Sequence, residues 1–316
     1  MKPTLVMLMA ALCLSGGCSK AGATEEATSP ASAAQPQSSA SSGQRSGGAP
    51  YEITGTQVWT VPDPVSGRTY DVFVSLPASY EAEPNRRYPV LYVTDADYAF
   101  PIIRQIARRV NLEGPVIEEF ILVGLSYAKG DSGADSRRRD YTPTPNGPRN
   151  SAGSVHGGGA AYQTYLKTQA LPFIDTRFRT DPARRILLGH SYGGLLGAQI
   201  MFTDPTMFSG YVLGSPSFWY DRRHMMTMEA DYARTHRDLP ADVFMYVGGF
   251  EGPGPTARHS SDADMVGDML TMERLLKSRA YPGLNVQSTV LADEDHLTVA
   301  PVGFTRALMA VLPADR

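Results

Sequence analysis

Gly189-His190-Ser191-Tyr192-Gly193-Gly194 limits the folds open to this chain more than any other segment. The apolar run Arg185-Ile186-Leu187-Leu188 precedes it, and a stretch of helical character, 195–202, follows. A serine between glycines, at the turn from a strand into a helix, is the G-x-S-x-G nucleophile elbow, whose strained backbone lifts the hydroxyl clear of the sheet edge. With 30 Gly in 316 residues, the pattern arises by chance too readily to stand alone, so the flanking strand and helix supply the discrimination. The competing reading is a Gly-rich β–α turn with a surface serine.

The rest of the chain supplies a matching frame. Alternating apolar residues over 57–61 and 70–76, joined by Pro64-Val65-Ser66-Gly67, predict an antiparallel pair of strands. Short apolar runs then predict strands over 89–93, 120–125, 185–188, 211–213, 243–247 and 286–291. Helical stretches fall between and after them, over 99–110, 160–178, 195–202, 225–235, 265–279 and 302–311. Strands alternating with helices mean an α/β fold with a mostly parallel sheet covered on both faces. The segment 128–158 reads as one long polar loop rich in Arg, Asp, Pro and Gly, a candidate binding loop. Ser191 falls at the carboxyl end of a central strand, where open α/β sheets place their ligands.

The amino-terminal end has a different character. Lys2, the apolar stretch 5–14 and the small residues Ser15-Gly16-Gly17 before Cys18 predict a signal peptide over 1–18 of the lipoprotein type, with Cys18 as the lipidated residue. Ser15 stands where such signals normally carry Leu, so an ordinary secretory signal or an uncleaved anchor is the alternative. Residues 19–50 are Ala, Ser, Gly, Gln and Pro with almost no large apolar side chain, which predicts a disordered tether. The folded domain is then 51–316. Its location is the cell envelope, periplasmic or on the outer membrane, with secretion as the alternative. Membrane attachment is expected only through the lipid.

Both cysteines, Cys13 and Cys18, lie in the signal region, so the folded part has no thiol nucleophile and no thiolate metal site. A net charge of −3 argues against a nucleic-acid partner. No metal-binding motif stands out: H-E-x-x-H is absent, and 293–296 is too compact for a full ligand set.

A serine hydroxyl needs a base in hydrogen-bond reach, and with this elbow the chain order is serine, acid, histidine. Of the histidines after Ser191, His224 and His236 flank a helical stretch and His259 sits in a polar loop, whereas His296 directly follows the last strand. His296 is therefore the candidate base. Glu251 follows the strand 243–247 through Gly248-Gly249-Phe250 and is the positional candidate for the acid that orients the imidazole, with Asp293, Asp295, Asp262 and Asp264 as competitors. For the oxyanion, one backbone donor is Tyr192. The other falls in the turn 94–98, at Asp97 or Tyr98. His156-Gly157-Gly158-Gly159 resembles an oxyanion motif of some lipases but lies just before the 160–178 helix, so it reads as a glycine-rich start of that helix.

With these residues in place, the chain resembles the esterase D-like putative esterase family, within the α/β-hydrolase fold, and especially its branch of periplasmic siderophore esterases. The resemblance runs from Val58 to Leu312. It rests on Tyr88-Pro89-Val90-Leu91-Tyr92-Val93, Arg139-Asp140-Tyr141-Thr142-Pro143, Gly157-Gly158-Gly159-Ala160 and the elbow, then on Gly214-Ser215-Pro216-Ser217-Phe218-Trp219, Val247-Gly248-Gly249-Phe250-Glu251 and His296. It implies hydrolysis of a small-molecule carboxylic ester through an acyl-serine, without a cofactor; family substrates include siderophore lactones and S-formylglutathione. Some siderophore esterases work as Ser–His dyads, which leaves the role of Glu251 open. In that branch a loop arginine faces the active site. By motif it corresponds to Arg139, with Arg138 as the alternative, against a plain reading of 137–139 as a solvated basic run paired with Asp135 and Asp140. A serine peptidase, an acyltransferase and a non-catalytic tethered binding protein are the competing functions.

Overall fold

The computed structural model describes residues 48–148 and 153–314. The expected signal peptide, Cys18 and all but the last residues of the tether lie outside the described residues. A compact unit spans Glu52–Arg316.

Among the described residues, eight strands form one sheet: β1 (Thr56–Pro62), β2 (Thr69–Ser75), β3 (Tyr88–Thr94), β4 (Ile121–Ala128), β5 (Thr180–His190), β6 (Gly210–Gly214), β7 (Ala241–Gly248) and β8 (Leu284–Leu291). Their spatial order is β1-β2-β4-β3-β5-β6-β7-β8. β1 and β2 pair antiparallel with each other, β2 pairs antiparallel with β4, and every other neighbouring pair is parallel. All seven residues of β3 are buried, as a central parallel strand covered on both faces requires. β1 at the antiparallel edge alternates weakly and is mostly exposed.

Two apolar layers hold the sheet. Helices α1 (Ala96–Val110) and α8 (Val299–Val311) cover one face, where Val93, Ile103, Phe304 and Leu308 meet. The other face carries α3 (Gly159–Tyr165), which continues through a π-helical turn into α4 (Leu171–Arg177), with α5 (Tyr192–Thr203), α6 (Tyr220–Thr235) and α7 (Met265–Arg279). Helix α5 is buried from Gly193 through Phe202 because it packs directly on the sheet, and apart from Gln199 its buried stretch is apolar for that reason. All eight strands and six helical stretches read from the sequence are present. This is the α/β-hydrolase architecture with an antiparallel lead-in.

The segment 128–158 departs from expectation. It contains a helix, α2 (Gly133–Asp140), with no apolar periodicity to betray it. Local polar chemistry holds it instead: Ser132 caps the start by accepting from the Asp135 N–H (3.1 Å), while three arginines occupy the last turn, where the helix dipole favours cations.

Candidate active site

At the end of β5 the backbone of Ser191 takes φ 60° and ψ −117°, a conformation that costs a non-glycine residue about 1–3 kcal/mol. The flanking glycines follow from packing. A Cβ at Gly189 would lie 2.2 Å from the Gly193 carbonyl group, and one at Gly193 would lie 2.2 Å from Thr94 Oγ1. The Ser191 N–H donates to the Gly214 carbonyl (2.8 Å), tying the turn to β6.

Two loops, after β7 and β8, converge towards this serine. After β7 a short 3₁₀ turn, Gly249–Glu251, carries Glu251; the loop between β8 and α8 carries His296. His296 Nε2 is 3.1 Å from Ser191 Oγ, and its Nδ1 donates to Glu251 Oε2 at 2.5 Å. The Glu251 carboxylate is 3% exposed and also accepts from Ser215 Oγ (2.6 Å) and the Gly248 N–H (2.8 Å). Burial pushes its carboxyl up, but the hydrogen bonds from His296, Ser215 and Gly248 outweigh this and hold it below the ordinary carboxylate range. A charged acceptor fixed on Nδ1 leaves Nε2 free to take a proton from the serine.

Three of the four competing carboxylates are engaged elsewhere. Asp295 accepts from the Leu297 and Thr298 N–H groups just ahead of α8 and pairs with Arg258, Asp264 caps α7, and Asp262 accepts from Ser261. Asp293 sits in a left-handed turn of the histidine loop.

Ser191 and His296 open into a cavity of about 370 Å³ whose wall includes Tyr98, Tyr127, Arg137, Leu188, Leu297 and Phe304. The arginine here is Arg137, not Arg139 or Arg138. Arg137 pairs with Asp95 through both Nε (3.0 Å) and Nη2 (3.3 Å) and lies over the Tyr192 ring at 5.2 Å. Arg139 is two residues further along α2, about 200° around the helix. There it pairs with Asp140 (2.8 Å) and Asp131 (2.5 Å), away from the cavity. Arg138 pairs with Asp135 and Ser154. The three arginines therefore differ in the face of α2 that each occupies.

The Tyr98 donor also fails, because its N–H is taken up by the Asp95 carbonyl (3.0 Å). Its ring instead lines the cavity. Asp97 and Tyr192 are early residues of α1 and α5, whose N–H groups have no acceptor within their own helices. The Asp97 side chain turns to Ser126 Oγ (2.5 Å). At 157–159 the three N–H groups donate to Thr142 Oγ1, the Arg139 carbonyl and the Thr142 carbonyl, so these glycines join α3 to the end of α2 and have no donor left for an oxyanion.

Several residues at the site escaped sequence reasoning: Arg137, its partner Asp95, Tyr127 (which donates to Asp95 at 2.7 Å), Ser215 and His190. One signal was available. Ser132-Gly-Ala-Asp135 is a capping pattern, and reading it as a helix start would have separated the faces of the three arginines.

A sheet of this order, with a strained serine at the end of β5 and a histidine and carboxylate on the following loops, defines a serine hydrolase of the α/β-hydrolase class. The model of the family described as "Putative esterase" matches residues 64–250, more than half of the chain, and the chain belongs to that family. The match contains Ser191 and stops one residue before Glu251. Among similar proteins is the ferri-bacillibactin esterase BesA of Bacillus subtilis, 25% identical over 277 residues, covering 84% of this chain and 92% of that one. The siderophore triacetylfusarinine C esterase of Aspergillus fumigatus is 31% identical over 158 residues, covering 49% of this chain and 53% of that one. Among solved structures, an IroE-like serine hydrolase from Shewanella oneidensis superposes with a TM-score of 0.68 at 25% identity, covering 80% of this chain and 79% of that one. The chain is a serine esterase.

Proposed function

We propose that the enzyme opens siderophore lactones at the cell envelope through an acyl-enzyme on Ser191. As Ser191 Oγ attacks the ester carbonyl, His296 Nε2 takes its proton, and Glu251 keeps the ring oriented and stabilises the imidazolium. The developing oxyanion accepts from the Tyr192 N–H, with the Asp97 N–H as second donor. Collapse of the intermediate releases the alcohol, which receives the proton from His296. Water, deprotonated by the same ring, then frees the carboxylate and restores Ser191.

The observation that carries this reading is a serine hydroxyl 3.1 Å from an imidazole nitrogen, in a cavity wall that also presents Arg137 and two tyrosine rings. A catecholate trilactone is anionic, aromatic and polyester, and suits that wall. Because Asp95 neutralises Arg137, recognition rests on guanidinium hydrogen bonds and ring contact more than on net charge. The names of two relatives, esterases of ferri-bacillibactin and triacetylfusarinine C, favour the same substrate class. The signal-type residues ahead of Cys18 favour a lipid-anchored enzyme that meets its substrate outside the cytoplasm.

Incubation with a ferric trilactone siderophore and, separately, with p-nitrophenyl acetate tests the substrate. Opened siderophore at a higher kcat/KM than the simple ester is the expected result. Turnover of p-nitrophenyl acetate alone would overturn the siderophore assignment. For the anchor, a palmitate analogue should label the wild type in cells and not Cys18→Ala; equal labelling of both would refute it.

A further inference from the structure

We propose that His190 is a positioning residue for the reaction: its Nε2–H, donated to the main-chain carbonyl of His296, fixes the loop that carries the base. The inference rests on the reading of His296 as general base.

His296 sits on a loop of seven residues, 292–298, with few inward anchors. Leu297 is 84% exposed, and the His296 side chain is itself more than a third exposed. Two carbonyls tie this loop inward. The Phe250 N–H donates to the Glu294 carbonyl (3.0 Å), and His190 Nε2 lies 3.1 Å from the carbonyl of His296 itself. The second tie holds the very residue whose ring must stay within reach of Ser191. His190 is the residue before the nucleophile in the chain, so one strand end fixes both the serine and the main chain of its base.

The chemistry of the pair sets the tautomer. A carbonyl only accepts, so Nε2 carries the proton and Nδ1 is bare. Among the described residues, Nδ1 is buried without a hydrogen-bond partner. A phenylalanine would fill the same space without that unpaired acceptor, so packing alone gives no reason for a histidine here.

The surroundings keep the ring neutral. The His296 ring lies 4.8 Å away, the Tyr246 ring stacks at 6.2 Å, and the Arg137 guanidinium approaches the His190 carbonyl at 3.5 Å. Glu251 and Asp95 are the nearby carboxylates and favour the charged form. Burial, reinforced by His296, outweighs them and lowers His190 to about 4. His190 thus donates its hydrogen bond at neutral pH without placing a second positive charge beside the imidazolium that forms on His296.

Two variants test the role. His190→Phe removes the donor, whereas His190→Gln keeps an N–H at comparable reach. With p-nitrophenyl acetate, His190→Phe should lose about 10- to 100-fold in kcat with KM within about twofold, the range of a general-base step made less well aligned. His190→Gln should recover most of that loss at an unchanged melting temperature. Wild-type kcat in His190→Phe, or a folded His190→Gln as slow as His190→Phe, would overturn the proposal. An inactive wild type would instead strike at the esterase mechanism.

Nitrogen-15 NMR of the wild type gives a reading that needs no variant and no substrate. His190 should hold the neutral Nε2–H tautomer from pH 8 down to pH 5. An Nδ1–H tautomer, or an imidazolium at pH 6, would sink the assignment.

Discussion

With His296 Nε2 3.1 Å from Ser191 Oγ, a single proton-transfer unit predicts that removing either member costs nearly as much as removing both. Ser191→Ala and His296→Ala should each lower kcat about 10⁴-fold or more, with melting temperatures near wild type. Glu251 is hydrogen-bonded to His296 Nδ1, and a role through that ring predicts that its removal leaves the serine–imidazole contact possible but poorly oriented. Glu251→Gln should therefore lose about 10²-fold in kcat with little change in KM. Equal kcat in Glu251→Gln and wild type would make the unit a dyad. At Gly193 the constraint is steric: a Cβ there meets Thr94 Oγ1 at 2.2 Å, close against the serine. Gly193→Ala should be destabilised and slow, which thermal melting and steady-state rates would read separately.

Helix α2 places Arg137, and neither Arg138 nor Arg139, in the wall of the cavity. Arg137→Ala should raise KM for a ferric trilactone several-fold and leave p-nitrophenyl acetate nearly unaffected. Arg139→Ala should lower the melting temperature through loss of its Asp140 and Asp131 contacts, with both substrates unchanged. The reverse pattern would restore Arg139 to the site. Ser132→Ala should cost about 1 kcal/mol in denaturant unfolding, the usual value of a lost N-cap. This helix also marks where sequence reasoning stops. Strands and helices that bury an apolar face declare themselves by period, and the helix expected over 265–279 coincides with α7. Ser191, Glu251 and His296 were legible because each follows a strand end in chain order. Helix α2 buries little apolar surface and is held by caps and ion pairs, so it has no period to read. The same blindness extends to Tyr98, where a backbone donor is lost to a main-chain carbonyl that no side chain announces.

For the whole domain, two buried groups beside the serine shape its acid stability. His190, lowered to about 4, stays neutral in the fold while an unfolded histidine near 6.5 takes up protons. The unfolded state thus binds more protons between those values, and stability falls as pH drops from about 6.5 to 4. Glu251, held below the ordinary carboxylate range, contributes stability that is present above about pH 4.5 and is lost as pH falls through its folded value. The melting temperature should therefore decline in two overlapping steps below neutrality. His190→Phe should flatten the upper step and Glu251→Gln the lower one; unchanged curves in both would refute the linkage. The chemistry turns on one hydroxyl, and intact-mass analysis after a fluorophosphonate pulse at pH 7.5 interrogates it directly. The predicted result is one adduct on the folded wild type, mapped to Ser191, absent from Ser191→Ala and at least about 100-fold slower to form in His296→Ala. A folded wild type that takes up no label, or takes it up on another serine, would contradict Ser191 as the nucleophile.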